Sequence, residues 1–405
     1  MDYDLLLQGC CEAGRQLLRF GAEIQRAEDT VRRLLSAYGL EGEVFAIPNC
    51  LWASAAAPDG RVYTVMRRVP PSSVDIEGIE RLNALSRRLC ACPPADPGEL
   101  LAQCRAEAEG VRRYPLWARL LGYLVGASFF ALFFSGGWAE AVAAGLAGLA
   151  CGACLTALDR MGANPFIATL ASAFVLGGAA YGPGALGAPI SLEITVAGGI
   201  MVLVPGLVFT NFMSDLLTGD MVAGLATFAR AVLSAGAIAL GAGAAMSLFR
   251  GLETVPAGAG TDYGPVWYCV FAFVACLGFC APFNVQGAGA LLCALGGALG
   301  WAAYLAAMGL GADIFVASLI AAVAVASWSE WMARVRRCPA TSYLVIAMFP
   351  LVPGLTIYQA MEHGLRGDTD MFLETFFRTM GIAGCLALGL LLVSAGLGLL
   401  QRRPR

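Results

Sequence analysis

Five kinds of residue able to do chemistry occur twice in this chain, each time 148 positions apart: Pro205-Gly206 returns as Pro353-Gly354, Asn211 as Gln359, Asp215 as His363, Asp220 as Asp368 and Arg230 as Arg378. Amide matches amide, cation matches cation, and one protonatable group matches another. Proline removes an amide donor and obstructs the carbonyl one turn back, while glycine relieves steric limits, so a Pro-Gly pair inside an apolar helix loosens it. In a membrane the freed backbone groups must find a protein, water or ligand partner. Each pair therefore reads as a packing kink or as a polar coordination point, and the duplication favours the second. Arg230 stands ten residues past Asp220, about 15 Å deep at ~1.5 Å per residue if a span begins there. An intramembrane arginine is costly and marks a functional site with a partner. It either takes a substrate carboxylate bidentately or is locked to Asp215 or Asp220. The candidate substrate-binding residues are thus Arg230, Arg378, Asn211, Gln359, Pro205, Gly206, Pro353 and Gly354. Asp215, Asp220, His363 and Asp368 are candidates for proton coupling, with the lone histidine equally readable as a solvated loop residue.

These residues belong to a longer duplication. Over 203–241 and 351–389, 18 of 39 positions are identical, including Pro, Asp and Arg, which a shared apolar bias does not produce. A period this long means a duplicated domain rather than a solenoid of short units. With 58% hydrophobic residues, 14% charged residues, 50 glycines and a mean hydropathy of +0.70, the chain is an integral membrane protein. Residues 1–113 nevertheless hold 30 of the 55 charged side chains, which marks off a water-soluble head. All 26 basic residues are Arg, a compositional trait without functional weight. The 14 cysteines include Cys90/Cys92 and Cys151/Cys154, but with a single histidine no metal site is expected and the thiols read as small hydrophobes. No cofactor is expected either. The acidic start lacks a basic n-region, so no cleaved signal peptide is expected. There is no Walker-type phosphate loop and no nucleophile–base constellation, so neither ATP-driven pumping nor an enzyme is indicated, and nothing points to nucleic acid.

The elements that would carry the polar pairs follow from periodicity. A helix is expected over 5–38, strand-like runs over 44–47 and 62–66 with a Pro58-Asp59-Gly60 turn before the second, and a helix over 75–90 capped by Ser72-Ser73. A charged helix from Glu99 is expected to run into the membrane. This makes 1–113 a small α/β domain. Ten apolar segments follow, near 116–136, 138–158, 164–182, 190–213, 221–249, 265–283, 286–308, 312–333, 341–361 and 371–400, each near the roughly 20 residues that a ~30 Å hydrocarbon core demands. They group into a first repeat over 114–250 and a second over 264–401. With the head inside, ten arginines flank the inner ends (Arg112, Arg113, Arg119, Arg160, Arg334, Arg336, Arg337, Arg402, Arg403 and Arg405) and two, Arg250 and Arg366, the outer. Five spans per half is odd, so the copies should run in opposite senses. The expected fold class is an α-helical polytopic membrane protein with a 5+5 inverted repeat, an arrangement whose sites lie at the repeat interface. Asn164-Pro165-Phe166, Asn284 and Glu330 are polar intrusions at span edges. Gly122/Gly126, Gly148/Gly152 and Gly296/Gly300 read as close helix packing.

GAEIQRAEDTVRRL at 21–34, RVYTVMRRV at 61–69, NPF at 164–166, LVPGLVFTNFMSDLLTGD at 203–220, LVPGLTIYQAM at 351–361 and Gly367-Asp368 together resemble the threonine/serine exporter (ThrE) family over nearly the full length. The resemblance implies a cytoplasmic head, about ten spans, and export of threonine and serine driven by the proton motive force across a bacterial cytoplasmic (inner) membrane, both termini cytoplasmic. Its partners would be a small-molecule substrate, protons and the bilayer, with homo-oligomerisation left open. Relatives with the two halves on separate chains are associated with dicarboxylate (succinate) export, and the fused halves here lean towards the amino-acid branch. A membrane sensor or scaffold signalling through the head is the third reading.

Overall fold

The computed structural model describes residues 2–70, 74–185, 187–188, 190–203, 206–219, 221–248 and 260–401. The chain divides into two compact units, one of Met1–Tyr114, Phe283–Gln286 and Ala333–Ser342, the other of Pro115–Pro282, Gly287–Met332 and Tyr343–Arg405.

The first unit is built from α1 (Tyr3–Arg19), α2 (Ile24–Ala37), strands β1 (Gly42–Ile47), β2 (Cys50–Ala56) and β3 (Val62–Arg68), α3 (Ile76–Ala91) and α4 (Pro97–Glu109). The strands form an antiparallel sheet in the order β1-β2-β3. The helix expected over 5–38 is two helices, because the chain turns at Gly21, whose φ of 79° only glycine adopts at no steric cost. The central strand β2 escaped the periodicity reading: CLWASAA is alanine-rich, and its strand state comes from pairing on both sides rather than from β propensity. Asp75 caps α3, accepting from the Gly78 amide at 3.1 Å, whereas the expected cap at Ser72-Ser73 lies outside the described residues. The helix from Glu99 does not run on into the apolar region; α4 ends at Glu109 and helix resumes only at Leu116. Leu6, Leu17, Leu34, Leu51, Ile76 and Ile79 form the buried centre. Cys10, Cys11 and Cys104 are sealed among them, and burial pushes the Cys11 and Cys104 thiols up to about 12, so they pack rather than react.

The remaining helices are α5 (Leu116–Phe133), α6 (Trp138–Arg160), α7 (Pro165–Ala185), α8 (Leu192–Ile200), α9 (Gly206–Thr218), α10 (Met221–Leu248), α11 (Pro265–Cys280), α12 (Ala288–Gly309), α13 (Ile314–Arg336), α14 (Thr341–Ala347), α15 (Gly354–Arg366) and α16 (Thr369–Gln401). Among the described residues seven of them, α5, α6, α7, α10, α12, α13 and α16, are long and apolar enough to cross a membrane, and α11 is a shorter apolar helix of 16 residues. The protein is therefore a mostly helical, polytopic membrane protein. The apolar segments 190–213 and 341–361 are not single helices: each is split, into α8 with α9 and into α14 with α15.

The bounds of these helices repeat as the sequence does. Shifted by 148, α9 and α10 start on the first residues of α15 and α16, and α9 and α15 are both 13 residues long. Both end before a glycine in the left-handed region, Gly219 at φ 88° and Gly367 at φ 79°. Glycine mates also do the same work. A Cβ on Gly241 of α10 would lie 2.3 Å from the Leu170 carbonyl of α7, and one on Gly389 of α16 would lie 2.6 Å from the Ala322 Cβ and 3.1 Å from the Leu319 carbonyl of α13. The small-residue pairs behave likewise: a Cβ on Gly122 would meet the Gly278 carbonyl at 2.5 Å, and one on Gly152 the Tyr123 ring at 2.1 Å.

Residues 283–286, between α11 and α12, complete the first unit. The Ile76 and Glu77 amides at the start of α3 donate to the Phe283 and Asn284 carbonyls at 3.1 and 3.2 Å. Asn284, buried and at φ 56°, donates from Nδ2 to Asp75 Oδ1 and to the Arg112 carbonyl, both at 2.8 Å. Arg113 pairs with the same aspartate at 3.3 Å. Asn284 is thus a tie between segments distant in sequence rather than a polar edge of a span.

Close approach of α7 to α10 and of α13 to α16 makes Gly241→Val and Gly389→Val equally damaging. Each should abolish monodisperse protein in detergent, whereas Gly243→Val, where a Cβ meets nothing within 4 Å, should behave as wild type on size-exclusion chromatography.

Candidate transport site

Both breaks begin where the chain loses helical hydrogen bonding. After α14 the amides of Leu351 and Val352 turn back to the Met348 carbonyl at 2.9 and 3.0 Å, and Gly354 donates to Val352 at 2.7 Å. Pro353, which has no N–H to give, stands at the N-cap of α15 with φ −76°. Pro350 and Pro353 together leave this stretch too few donors for a helix. In the first copy helix ends at Ile200 and resumes at Gly206; Pro205 lies outside the described residues, as does Asp220.

The two 13-residue half-helices cross over between the copies. α9 packs against α16 as well as α10, and α15 against α10 as well as α16. One cluster gathers Phe212, Ala231, Ala235, Ile357 and Ala383, with Met213, Phe228, Met361 and Phe376 packed against it. Ala235/Ala383, Met213/Met361 and Phe228/Phe376 are mates at the 148-residue offset, so three pairs of mates belong to one cluster. α5 and α11 also pack on each other, with Phe130 and Phe279 buried at a ring separation of 5.7 Å.

Around this cluster the polar mates are placed unequally. Asp215 of α9 is partly buried and accepts from the Thr227 hydroxyl of α10 at 3.3 Å. Its mate His363 is partly buried near the end of α15, beside the partly buried Gln359, whereas Asn211 is exposed. Asp368 is exposed and accepts from the Met371 amide at 3.3 Å, which makes it the cap of α16. Arg230 and Arg378 both lie on exposed faces, flanked by exposed Leu225 and Leu233 on α10 and by exposed Phe377 on α16. Among the described residues neither arginine is ion-paired. Tyr304 of α12 stands within electrostatic reach of Arg378. Among the described residues no three His, Cys, Asp or Glu side chains are placed to hold a metal.

One polar feature at the break was not read from the sequence. Thr356 of α15 donates to the Pro353 carbonyl at 2.9 Å, and the single hydroxyl proton of buried Thr379 of α16 is shared between the Thr356 hydroxyl at 2.8 Å and the Thr375 carbonyl at 2.7 Å. The mates of these threonines are Val208 and Ala231, so comparing the copies for differences, rather than likenesses, would have found them. Thr356→Val and Thr379→Val should each cost on the order of 1 kcal/mol and the double variant less than their sum, read by chemical unfolding in detergent. Strictly additive costs would mean that the hydroxyls do not act as a pair.

Comparison with known proteins agrees along the whole chain. The model of the threonine/serine exporter family ThrE matches residues 8–249, and a second model, described as Threonine/Serine exporter, ThrE, matches residues 268–395. A threonine/serine exporter of Corynebacterium glutamicum is 25% identical over 406 aligned residues, covering 97% of this chain and 82% of the relative. No solved structure matches. With the matched models spanning both halves, the chain belongs to the threonine/serine exporter (ThrE) family.

Proposed function

We propose that this protein is a secondary transporter, not an enzyme, that exports threonine and serine, driven by the proton motive force, through a pathway between two inverted five-span repeats. The observation that carries this is the crossing of α9 and α15 between the copies, with repeat mates meeting in one cluster. Broken spans at equivalent positions of two repeats are where transporters place substrate and coupling-ion sites. The repeats are 114–250 and 264–401, preceded by a cytoplasmic α/β domain over 1–113, in a bacterial inner membrane with both termini inside.

Hydrogen bonds between loops support this sidedness. The Thr261 amide donates to the Ser135 carbonyl, Tyr263 to Gly136, and the Ser191 amide to Glu140, all segments that the alternating topology puts outside. Residues 283–286 and 333–342, both inner on that topology, belong to one compact unit with residues 1–114.

In this reading Asn211, Gln359, Arg230, Arg378 and the freed backbone at Pro205-Gly206 and Pro353-Gly354 serve the substrate. Asp215, Asp220, His363 and Asp368 serve proton coupling, Asp368 while it also caps α16. Cells expressing the chain and fed a threonine-containing dipeptide should hold less threonine inside and release it to the medium; an unchanged pool sinks the reading. Asp215→Asn should leave threonine exchange intact and remove its response to a pH gradient. Arg230→Gln and Arg378→Gln should each reach the membrane and lose flux, and wild-type flux in both removes the arginines from the site.

A further inference from the structure

We propose that Tyr358, Glu362 and Arg366 form an outer binding site for the charged head group of an α-amino acid, a site resting on the exporter reading above. These residues stand one turn apart on α15 and line a cavity of about 690 Å³ closed on its other side by the end of α10. That volume falls within the roughly 300–1,000 Å³ of small-molecule sites. The α10 wall is cut back: Ala239, Gly243 and Ala244 line it, and a Cβ on Gly243 would meet nothing within 4 Å. On the proposed topology the C-terminal ends of α10 and α15 are both outer.

The chemistry of the lining is that of a zwitterion. Glu362 and Arg366 are bonded to each other at 2.6 Å with both side chains partly open, and the guanidinium also reaches the Met246 sulfur at 3.9 Å. An α-amino acid carries a carboxylate and an ammonium on one carbon. Inserted here it exchanges one internal ion pair for two, carboxylate to Arg366 and ammonium to Glu362, leaving no charge unpaired. Tyr358, which lines the cavity, and Tyr181 of α7 lie within electrostatic reach of both groups. Glu193 of α8 is close enough to Tyr358 to be felt there. Two acids against one base repel a dicarboxylate and accommodate an ammonium.

The repeat argues that the pair is more than a helix-surface bridge. The mates of Tyr358, Glu362 and Arg366 are Thr210, Ser214 and Thr218, so the charges were placed on one copy only, at the end lined by the cavity. Exposed i,i+4 bridges contribute little by themselves.

Threonine counterflow into proteoliposomes of the full chain tests the site, with threonine methyl ester, 2,3-dihydroxybutanoate and succinate as competitors. Wild type should prefer threonine to all three by about tenfold or more. Arg366→Gln should weaken threonine by about tenfold and bring it level with the ester, and Glu362→Gln should bring it level with the dihydroxy acid. Gly243→Leu, which fills the cavity and touches neither charge, should weaken threonine while keeping the ranking. Half-saturation within about twofold of wild type in all three variants overturns the site while transport stands. Succinate competing as well as threonine overturns the zwitterion assignment, and wild-type vesicles that move neither threonine nor serine overturn the site and the exporter reading together.

Discussion

In hydrocarbon no water is at hand to take up an unpaired peptide group, and helices persist there because they pair every one internally. The rest of this structure depends on the two places where that rule is broken at matching positions. In the second copy, turns at 348–354 re-pair the amides that Pro350 and Pro353 disrupt, and the Thr356 hydroxyl covers the Pro353 carbonyl. The halves that result, α9 and α15, are 13 residues each, about 20 Å at ~1.5 Å per residue, too short to cross a ~30 Å core. Neither can stand alone in lipid. Each must be held by long helices, and the structure holds each with one from either copy.

That exchange gathers mates from both copies into one apolar cluster, Met213 with Met361 and Phe228 with Phe376 among them. Elsewhere the copies diverge. Thr356 and Thr379 stand where the first copy has Val208 and Ala231, and His363 stands where it has Asp215. Two similar half-helices thus carry chemically different residues while both contribute to the same apolar cluster.

How much of this was legible in the sequence depended on range. The repeat, the apolar segments and the breaks are written in local pattern, and Gly241 and Gly389 in their identity across copies. The central strand β2 was not legible, because CLWASAA becomes a strand only between two partners. Asp75 as the cap of α3 was hidden behind the equally plausible Ser72-Ser73. Most instructive are Arg230 and Arg378. Their depth along a helix can be counted, but the face they take depends on which neighbours pack against α10 and α16, and both end on exposed faces. Glu362 and Arg366 carry no local mark of a site, because what they face is set by the end of α10.

The same long-range logic governs the N-terminal region. Asn284 holds a left-handed φ, is buried, and has its side-chain amide satisfied by Asp75, Arg112 and Gln286, while the first amides of α3 are satisfied by the carbonyls of residues 283 and 284. Arg87 of α3 likewise donates to the Arg337 carbonyl. A helix N-terminus carries orphan donors that a cap, water or another segment must meet, and here the segment comes from between α11 and α12. The residues of 1–114 are therefore not a self-sufficient appendage: their compact unit is finished by 283–286 and 333–342, stretches that connect helices of the transport body. Any movement of those connecting stretches must either carry α3 with it or break buried hydrogen bonds to Asp75, and the second course leaves a buried carboxylate short of donors. The charged N-terminal region and the connecting loops are for that reason one mechanical element.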